Sequence, residues 1–301
     1  MRKESESTWW VPACDLCGNL EHAEERTAQG LLLRRCRKCG LISIAHDEPR
    51  PAAGTMSSVP PALQREALRS LLGRSSPSVL VLGEPAPSLV GEAAEMGIAL
   101  SALVEPGHAP IDGVRTFAWS LEGAAFAAES FDCIIDAVGL ERYPAPSLLF
   151  DRARRWLNPG GRLIVAALNA SSLPARLNRR SWLHRFAEEA RHLFTPPVLG
   201  EYASRFGFNV ASVQSRSAIR DVAASIFGTR EPGIVATVTA APVALASSLF
   251  GMGLVILMEL TNDGYAVRPV VRKAENAMEG AQGLAPALYT GVHRKKVAEY
   301  A

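Results

Sequence analysis

Four of the five cysteines stand in two pairs near the start of the chain, Cys14-Asp-Leu-Cys17 and Cys36-Arg-Lys-Cys39, with eighteen residues between the pairs. A C-x2-C turn aims two thiolates at one point, and two such turns at this separation make a closed tetrahedral sulfur site for Zn2+. Gly18 and Gly40, directly after the pairs, let backbone amides approach the sulfurs. A four-thiolate site has no open coordination position, so its ion folds the segment and does not catalyse. Cys14, Cys17, Cys36 and Cys39 are therefore expected to hold one structural zinc. Cys133 sits inside an apolar run and reads as a core residue.

Two further side chains could do chemistry. Glu105 closes the apolar run Ala99–Val104, twenty-two residues after Gly83, which closes the run Val79–Leu82. A carboxylate at the end of the second strand of a nucleotide-binding unit can accept hydrogen bonds from both hydroxyls of a ribose. The plainer alternative is an exposed strand-end acid. His192 carries an imidazole that titrates near neutrality and is the candidate general base for an acceptor hydroxyl; its alternative is a structural histidine near Pro196. The arginine-rich stretch from Arg176 to Arg185 could meet an anionic acceptor or form a solvated helix face.

The elements that must position these groups are legible as alternating patterns. Val79–Leu82, Ala99–Val104, Phe131–Ile135 and Arg162–Leu168 are short, continuously apolar runs. Between the last two, Ser147–Leu157 is apolar at helical spacing and stops at Asn158-Pro-Gly-Gly161. A helix over Ala62–Leu72 precedes them, and residues 181–206 read as helix in two pieces broken at Thr195–Pro197. Phe208–Val213 and Gly253–Glu259 are further strand candidates. Buried strands separated by helices predict an α/β fold, a Rossmann-like doubly wound sheet, preceded by the small zinc ribbon. The expected division is ribbon 1–46, linker 47–61, α/β domain 62–261 and C-terminal extension 262–301, with a basic cluster at His293–Lys296.

Composition narrows the function classes. The chain is 48% hydrophobic and 21% charged with a net charge of +2, as expected of a folded globular protein. Residues 1–50 hold eight basic and eight acidic side chains, so the ribbon is neutral overall, which argues against a nucleic-acid partner. The polar N-terminus lacks the apolar core of a signal peptide, and paired reduced thiols suit the cytoplasm. Residues 232–258 contain no charge. Pro242 and the glycines at 233, 251 and 253 favour a short helix followed by a buried edge strand; contact with a membrane is the second reading.

Residues 14–210 resemble the bacterial zinc-ribbon methyltransferases of the class I S-adenosylmethionine (SAM)-dependent fold. The resemblance is carried by Cys36-Arg-Lys-Cys-Gly-Leu41 with Asp47-Glu-Pro-Arg50, by Phe131-Asp-Cys-Ile-Ile135, by Gly139-Leu-Glu-Arg142 and by Leu157-Asn-Pro-Gly-Gly-Arg-Leu-Ile164. Trp182, His192-Leu-Phe-Thr195 and Phe206-Gly-Phe208 add to it. It implies SAM as cofactor, with Ser120 and Leu121 beside the adenine, Asp136 near the methyl donor, Gly83 in the loop under the methionine part, and a small-molecule methyl acceptor such as a sugar or natural product. The same resemblance marks a departure. In the glycine-rich loop, Val81 replaces the family's acid, and Pro85 and Pro87 replace glycines. Proline has no N–H to donate and a fixed φ. Glu84 would have to supply a carboxylate for the ammonium group of the donor. The alternatives are a methyltransferase-like binding protein that has lost SAM and, behind it, an RNA methyltransferase.

Overall fold

The computed structural model describes residues 13–27, 30–45, 61–69, 71, 73, 76–186, 190–227 and 232–263, all within one compact unit, Met1–Tyr265. The expected linker 47–61, apart from its last residue, lies outside the described residues. So do residues 1–12 and the expected C-terminal extension beyond Asp263, with its basic cluster.

The chain begins with three short strands, β1 (His22–Arg26), β2 (Leu32–Cys36) and β3 (Ile42–Ala45), then a helix, α1 (Pro61–Arg69). Next come β4 (Ser78–Leu82), α2 (Pro87–Glu95), β5 (Ala99–Val104), β6 (Arg115–Ala118) and β7 (Phe131–Asp136). A 3-10 turn at Leu140–Arg142 leads to α3 (Pro146–Trp156), β8 (Leu157–Leu168), α4 (Leu173–Leu177), α5 (Arg179–Phe186), β9 (His192–Leu193) and α6 (Pro196–Arg205). The described chain closes with β10 (Asn209–Arg216), α7 (Ile219–Phe227), α8 (Ile234–Leu249) and β11 (Val255–Asn262).

Seven strands form the main sheet in the order β10-β11-β8-β7-β4-β5-β6. β10, β8, β7, β4, β5 and β6 all run in one direction, and β11, inserted between β10 and β8, runs opposite to both. Central strands are buried on both faces, which is why β4 reads Ser-Val-Leu-Val-Leu and not as an alternating pattern. The sheet is thus the expected Rossmann-like α/β sheet, and its parallel strands all end on the side where ligands bind in such folds.

Several local expectations shift. β8 starts at Leu157, so Asn158-Pro-Gly-Gly161 belongs to the entry of a twelve-residue strand and does not separate helix from strand. β6 carries too few apolar residues to be read from its pattern. The helical break in 181–206 is wider than Thr195–Pro197 and contains β9. β11 was expected at a sheet edge; it lies inside, between β8 and β10, and β10 is the edge. Its inner place follows from Ile256, Leu257, Met258 and Leu260, all buried.

The small sheet has the order β1-β2-β3-β9. Its fourth strand comes from far along the chain, pairing Ile42 with Leu193 and Ser43 with His192. The core follows suit: Cys14, Leu16, Cys36 and Leu41 belong to the same buried cluster as Phe150, Trp156, Phe194 and Tyr202. Burying each of the large side chains contributes about 1.5–3 kcal/mol, so the cysteine segment is held by packing as well as by whatever its thiols bind.

Candidate functional site

The four expected ligands converge. The sulfurs of Cys14, Cys17, Cys36 and Cys39 all lie within 4.8 Å of one another, with Cys14 to Cys39 at 3.5 Å and Cys17 to Cys36 at 3.4 Å. A tetrahedral ion with Zn–S bonds of about 2.3 Å would set its sulfurs about 3.8 Å apart, so the donor set fits a four-thiolate ion. Gly18 and Gly40 adopt φ of +67° and +78°, and their amides donate to the carbonyls of Cys14 and Cys36 rather than to sulfur. Asn19 Nδ2 faces Cys36 Sγ at 3.7 Å. Burial pushes the Cys14 thiol up to about 12. Burial opposes ionisation of Cys36 as well, but the amides of Cys39 and Lys38 bring it down to about 6.

Asp15, between the first two cysteines, fastens this segment to the main fold. It accepts from the Ser147 amide at 2.9 Å, the Ser147 hydroxyl at 2.6 Å and the Tyr202 hydroxyl at 2.7 Å. On the far side of β3, β9 bridges the two sheets, because Phe194 pairs with Asn169 just past the end of β8. His192 sits in this bridge. A carbonyl can only accept, so the contact to Pro144 O at 3.1 Å puts the proton on Nε2; Nδ1 then accepts from Ser43 Oγ at 3.3 Å. Burial lowers the pKa of this imidazole, in keeping with a neutral ring. Both nitrogens are committed within the protein, and His192 does not line the neighbouring cavity.

That cavity, of about 330 Å³, opens at the C-terminal ends of β4 and β5. Gly83, Glu105, Ser120 and Leu121 all line it, so four sequence-predicted residues meet at one place. Gly83 has φ +94°, and a Cβ there would fall 2.8 Å from Val138 Cγ2, so only glycine suits the turn. Glu84 points elsewhere: it is largely exposed and lies 3.6 Å from His108 Nε2. Val81 is fully buried in the core, where an acid would be costly. Pro87 is not part of the loop, for it occupies the first turn of α2 behind Ala86, a position that tolerates a missing N–H. Pro85 alone remains as a proline in the turn.

Sequence reasoning missed Trp119, Tyr143, Arg142 and Arg191, which also line the cavity. Trp119 is braced by Phe117 and Phe126, with ring centroids 5.2 and 5.9 Å away. A cluster of aromatics at 117, 119 and 126 was the available signal. Asp136 ends β7 in full burial. Its Oδ1 accepts from Val138 N at 3.1 Å, Gly139 N at 3.2 Å and Tyr143 Oη at 3.0 Å, while Oδ2 has no hydrogen-bond partner. Burial pushes Asp136 up to about 7 against those three donors. Burial, reinforced by the charge of Asp136, likewise raises Glu141 to about 8; Glu141 accepts from Leu168 N at 3.2 Å. A glycine-only turn, a strand-end carboxylate and an aromatic face together fit a nucleoside-bearing cofactor, whereas Asp136 and Glu84 do not line this cavity.

This sheet with this cavity at its C-terminal edge is a Rossmann-like α/β architecture with a nucleoside-sized site. Residues 60–213, just over half of the chain, match the family model described as "Methyltransferase domain", and the chain belongs to that family. It is accordingly a SAM-dependent methyltransferase. No curated protein matches the chain. Among solved structures, it is similar to an S-adenosylmethionine-dependent methyltransferase from Mesorhizobium loti, at 15% identity and a TM-score of 0.45, covering 65% of this chain and 96% of that one. It is also similar to geranyl diphosphate methyltransferase in complex with SAM, at 13% identity and a TM-score of 0.46, covering 67% and 85%.

Proposed function

We propose that this methyltransferase carries a SAM-derived methyl group to an oxygen, or a carbon, of a small-molecule acceptor, and that its cysteine segment holds a structural zinc. The cavity that gathers Gly83, Glu105, Ser120 and Leu121 beside Trp119 carries this reading. Bound there, SAM would supply an electrophilic methyl group on a sulfonium. The chain's part is to bind, orient and exclude water. Glu105 accepts from the ribose hydroxyls, Trp119 offers a flat apolar face to the adenine, and Gly83 leaves room for the chain of the donor. Arg142 and Arg191 stand where the cavity meets the β9 bridge, a placement that suits an acceptor bearing negative charge. His192 acts as a positioning residue: with both nitrogens engaged, it ties β9 to Pro144 and Ser43.

Calorimetric titration of the zinc-loaded chain with SAM and with S-adenosylhomocysteine tests this. Saturable binding of both, at one per chain, is the expected result. Absence of heat with either at millimolar concentration would remove the reading.

A further inference from the structure

The α7–α8 hairpin leaves apolar surface uncovered. Ile234, Val235, Val238, Leu245, Leu249 and Phe250 are between 63% and 84% exposed. The first five share one face of α8, spaced 1, 3, 7 and 4 residues apart, and Phe250 follows at its end. The opposite face, with Ala240, Ala244 and Ser247, is buried. On α7, Ile219 and Phe227 add to the exposed side, while Val222 and Ala223 face inward. A helix that is apolar on both sides belongs in an apolar surrounding, and a contiguous patch of this size marks an interaction surface.

Charge and position say what covers it. Across α4, α5, α7 and α8 there are five arginines (176, 179, 180, 185 and 220) and one acid, Asp221. α4 and α5 both pack on α7, so the exposed Arg176, Arg179 and Arg180 adjoin the apolar hairpin together with Arg220, Arg179 also pairing with Glu25 at 3.4 Å. Arg176 and Arg220 are exposed and have no ion-pair partner among the described residues. An uncharged face bordered by arginines complements an anionic lipid surface, whose headgroups meet the arginines while the acyl boundary takes the side chains. Spanning is not the mode. Among the described residues no helix is long and apolar enough to cross a membrane, and the sixteen residues of α8 extend only about 24 Å.

Topology puts this surface at the functional end of the sheet. Arg216, where β10 ends, pairs with Val255, where β11 begins, and Val255 pairs with Leu168 at the end of β8. The hairpin therefore leaves and re-enters the sheet at the same end as Gly83 and Asp136. Gly253 holds the re-entry, since a Cβ there would lie 2.6 Å from the Arg216 backbone.

We infer that the α7–α8 hairpin docks in the interface of an anionic phospholipid bilayer, bringing the cavity end of the sheet to the membrane surface. Flotation of the full chain, zinc-loaded, with phosphatidylcholine vesicles with and without phosphatidylserine tests this. Wild type is expected to float with the phosphatidylserine vesicles and about tenfold less with phosphatidylcholine alone. Val238→Asp with Leu245→Asp should abolish flotation. Arg176→Glu with Arg220→Glu should reduce binding to the phosphatidylserine vesicles to the level seen on neutral ones. Unchanged melting by circular dichroism keeps either loss from being a folding defect. Failure of wild type to float with either vesicle overturns the inference. So does flotation that the aspartates leave intact, or a soluble dimer that they dissociate, which would assign the face to a second copy of the chain.

Discussion

The hydroxyl of Tyr202 donates to the carboxylate of Asp15 at 2.7 Å, linking the loop between the first cysteines to a helix 187 residues away. Two bonds from Ser147 complete the carboxylate's coordination, so one short side chain joins the cysteine segment, α3 and α6. Asp15→Ala would leave the buried Tyr202 hydroxyl without its acceptor. A loss of about 3 kcal/mol is expected, on the order of 6–12 °C in Tm for a unit of this size. Tyr202→Phe, which deletes the donor and leaves Ser147 bound, should cost about 1 kcal/mol. Denaturant titration of both variants checks the order. An Asp15→Ala variant as stable as wild type would mean that the segment is held by its metal and core alone.

Metal removal should be felt at β9. The purified chain is expected to carry one zinc, lost in Cys36→Ser, as elemental analysis would register. Because Ser43 and Ile42 pair with His192 and Leu193, chelation should also raise amide hydrogen exchange at Leu193 and Phe194, far from the cysteines in sequence. Exchange confined to residues 13–45 would show that β9 stands without the ribbon.

The strength of these links explains what could and could not be read from the sequence. Cysteine spacing, the buried runs of β4, β5 and β7, and the carboxylate after β5 are local signals, and each is visible within a few residues. Asp15 and β9 act through partners more than a hundred positions away, and His192 bonds to Ser43, 149 positions away, and Pro144, 48 positions away; nothing in Asp15-Leu16 or His192-Leu193 announces a partner. Pro87 illustrates the same limit on a short scale: counted from Gly83 it falls on a glycine position of the loop, but the helix starts there, and only the backbone reveals it.

Asp136 sets a pH dependence. Its unfolded carboxyl titrates near 3.8 and its folded one near 7, so between those values the folded chain keeps a proton that the unfolded chain has released. Raising the pH through that window therefore favours unfolding, and the stability attached to the neutral, buried acid is complete below about 4 and lost above 7. Glu141, raised to about 8, acts in the same direction. Asp136→Asn cannot ionise, so its melting temperature relative to wild type should rise from pH 5 to about pH 7 and level off above it. A constant difference over that range would mean that Asp136 is already charged in the folded chain at pH 5.

At the nucleoside end of the cavity, Glu105→Ala should weaken SAM binding by about 1.5–3 kcal/mol, the scale of a hydrogen bond to a charged group, with Glu105→Gln recovering part of it. Trp119→Ala should weaken S-adenosylhomocysteine and SAM equally, because an aromatic face contacts a part that both share. Calorimetry on the three variants gives the comparison. An unchanged affinity in Glu105→Ala would move the ribose elsewhere in the cavity.

The turn after β4 separates two prolines that the bare sequence treats alike. Pro87 stands in the first turn of α2, where its ring fits the helical φ and its missing N–H has no helical acceptor to lose. Replacing it with glycine adds conformational freedom to the unfolded chain, so Pro87→Gly should cost about 1 kcal/mol of stability and leave SAM affinity within twofold of wild type. Pro85 precedes the helix and lies two residues after the left-handed Gly83, in the stretch that the proposed function sets beside the donor's methionine end. Pro85→Gly restores an N–H and releases φ at that point, and affinity for SAM should rise about tenfold, equivalent to about 1.4 kcal/mol. S-adenosylhomocysteine, which keeps the methionine-derived chain, should gain as much, whereas adenosine, which lacks it, should gain nothing. Equal gains for all three ligands would place the effect on the nucleoside end. A tenfold gain from Pro87→Gly would mean that the start of α2 unwinds to admit the cofactor.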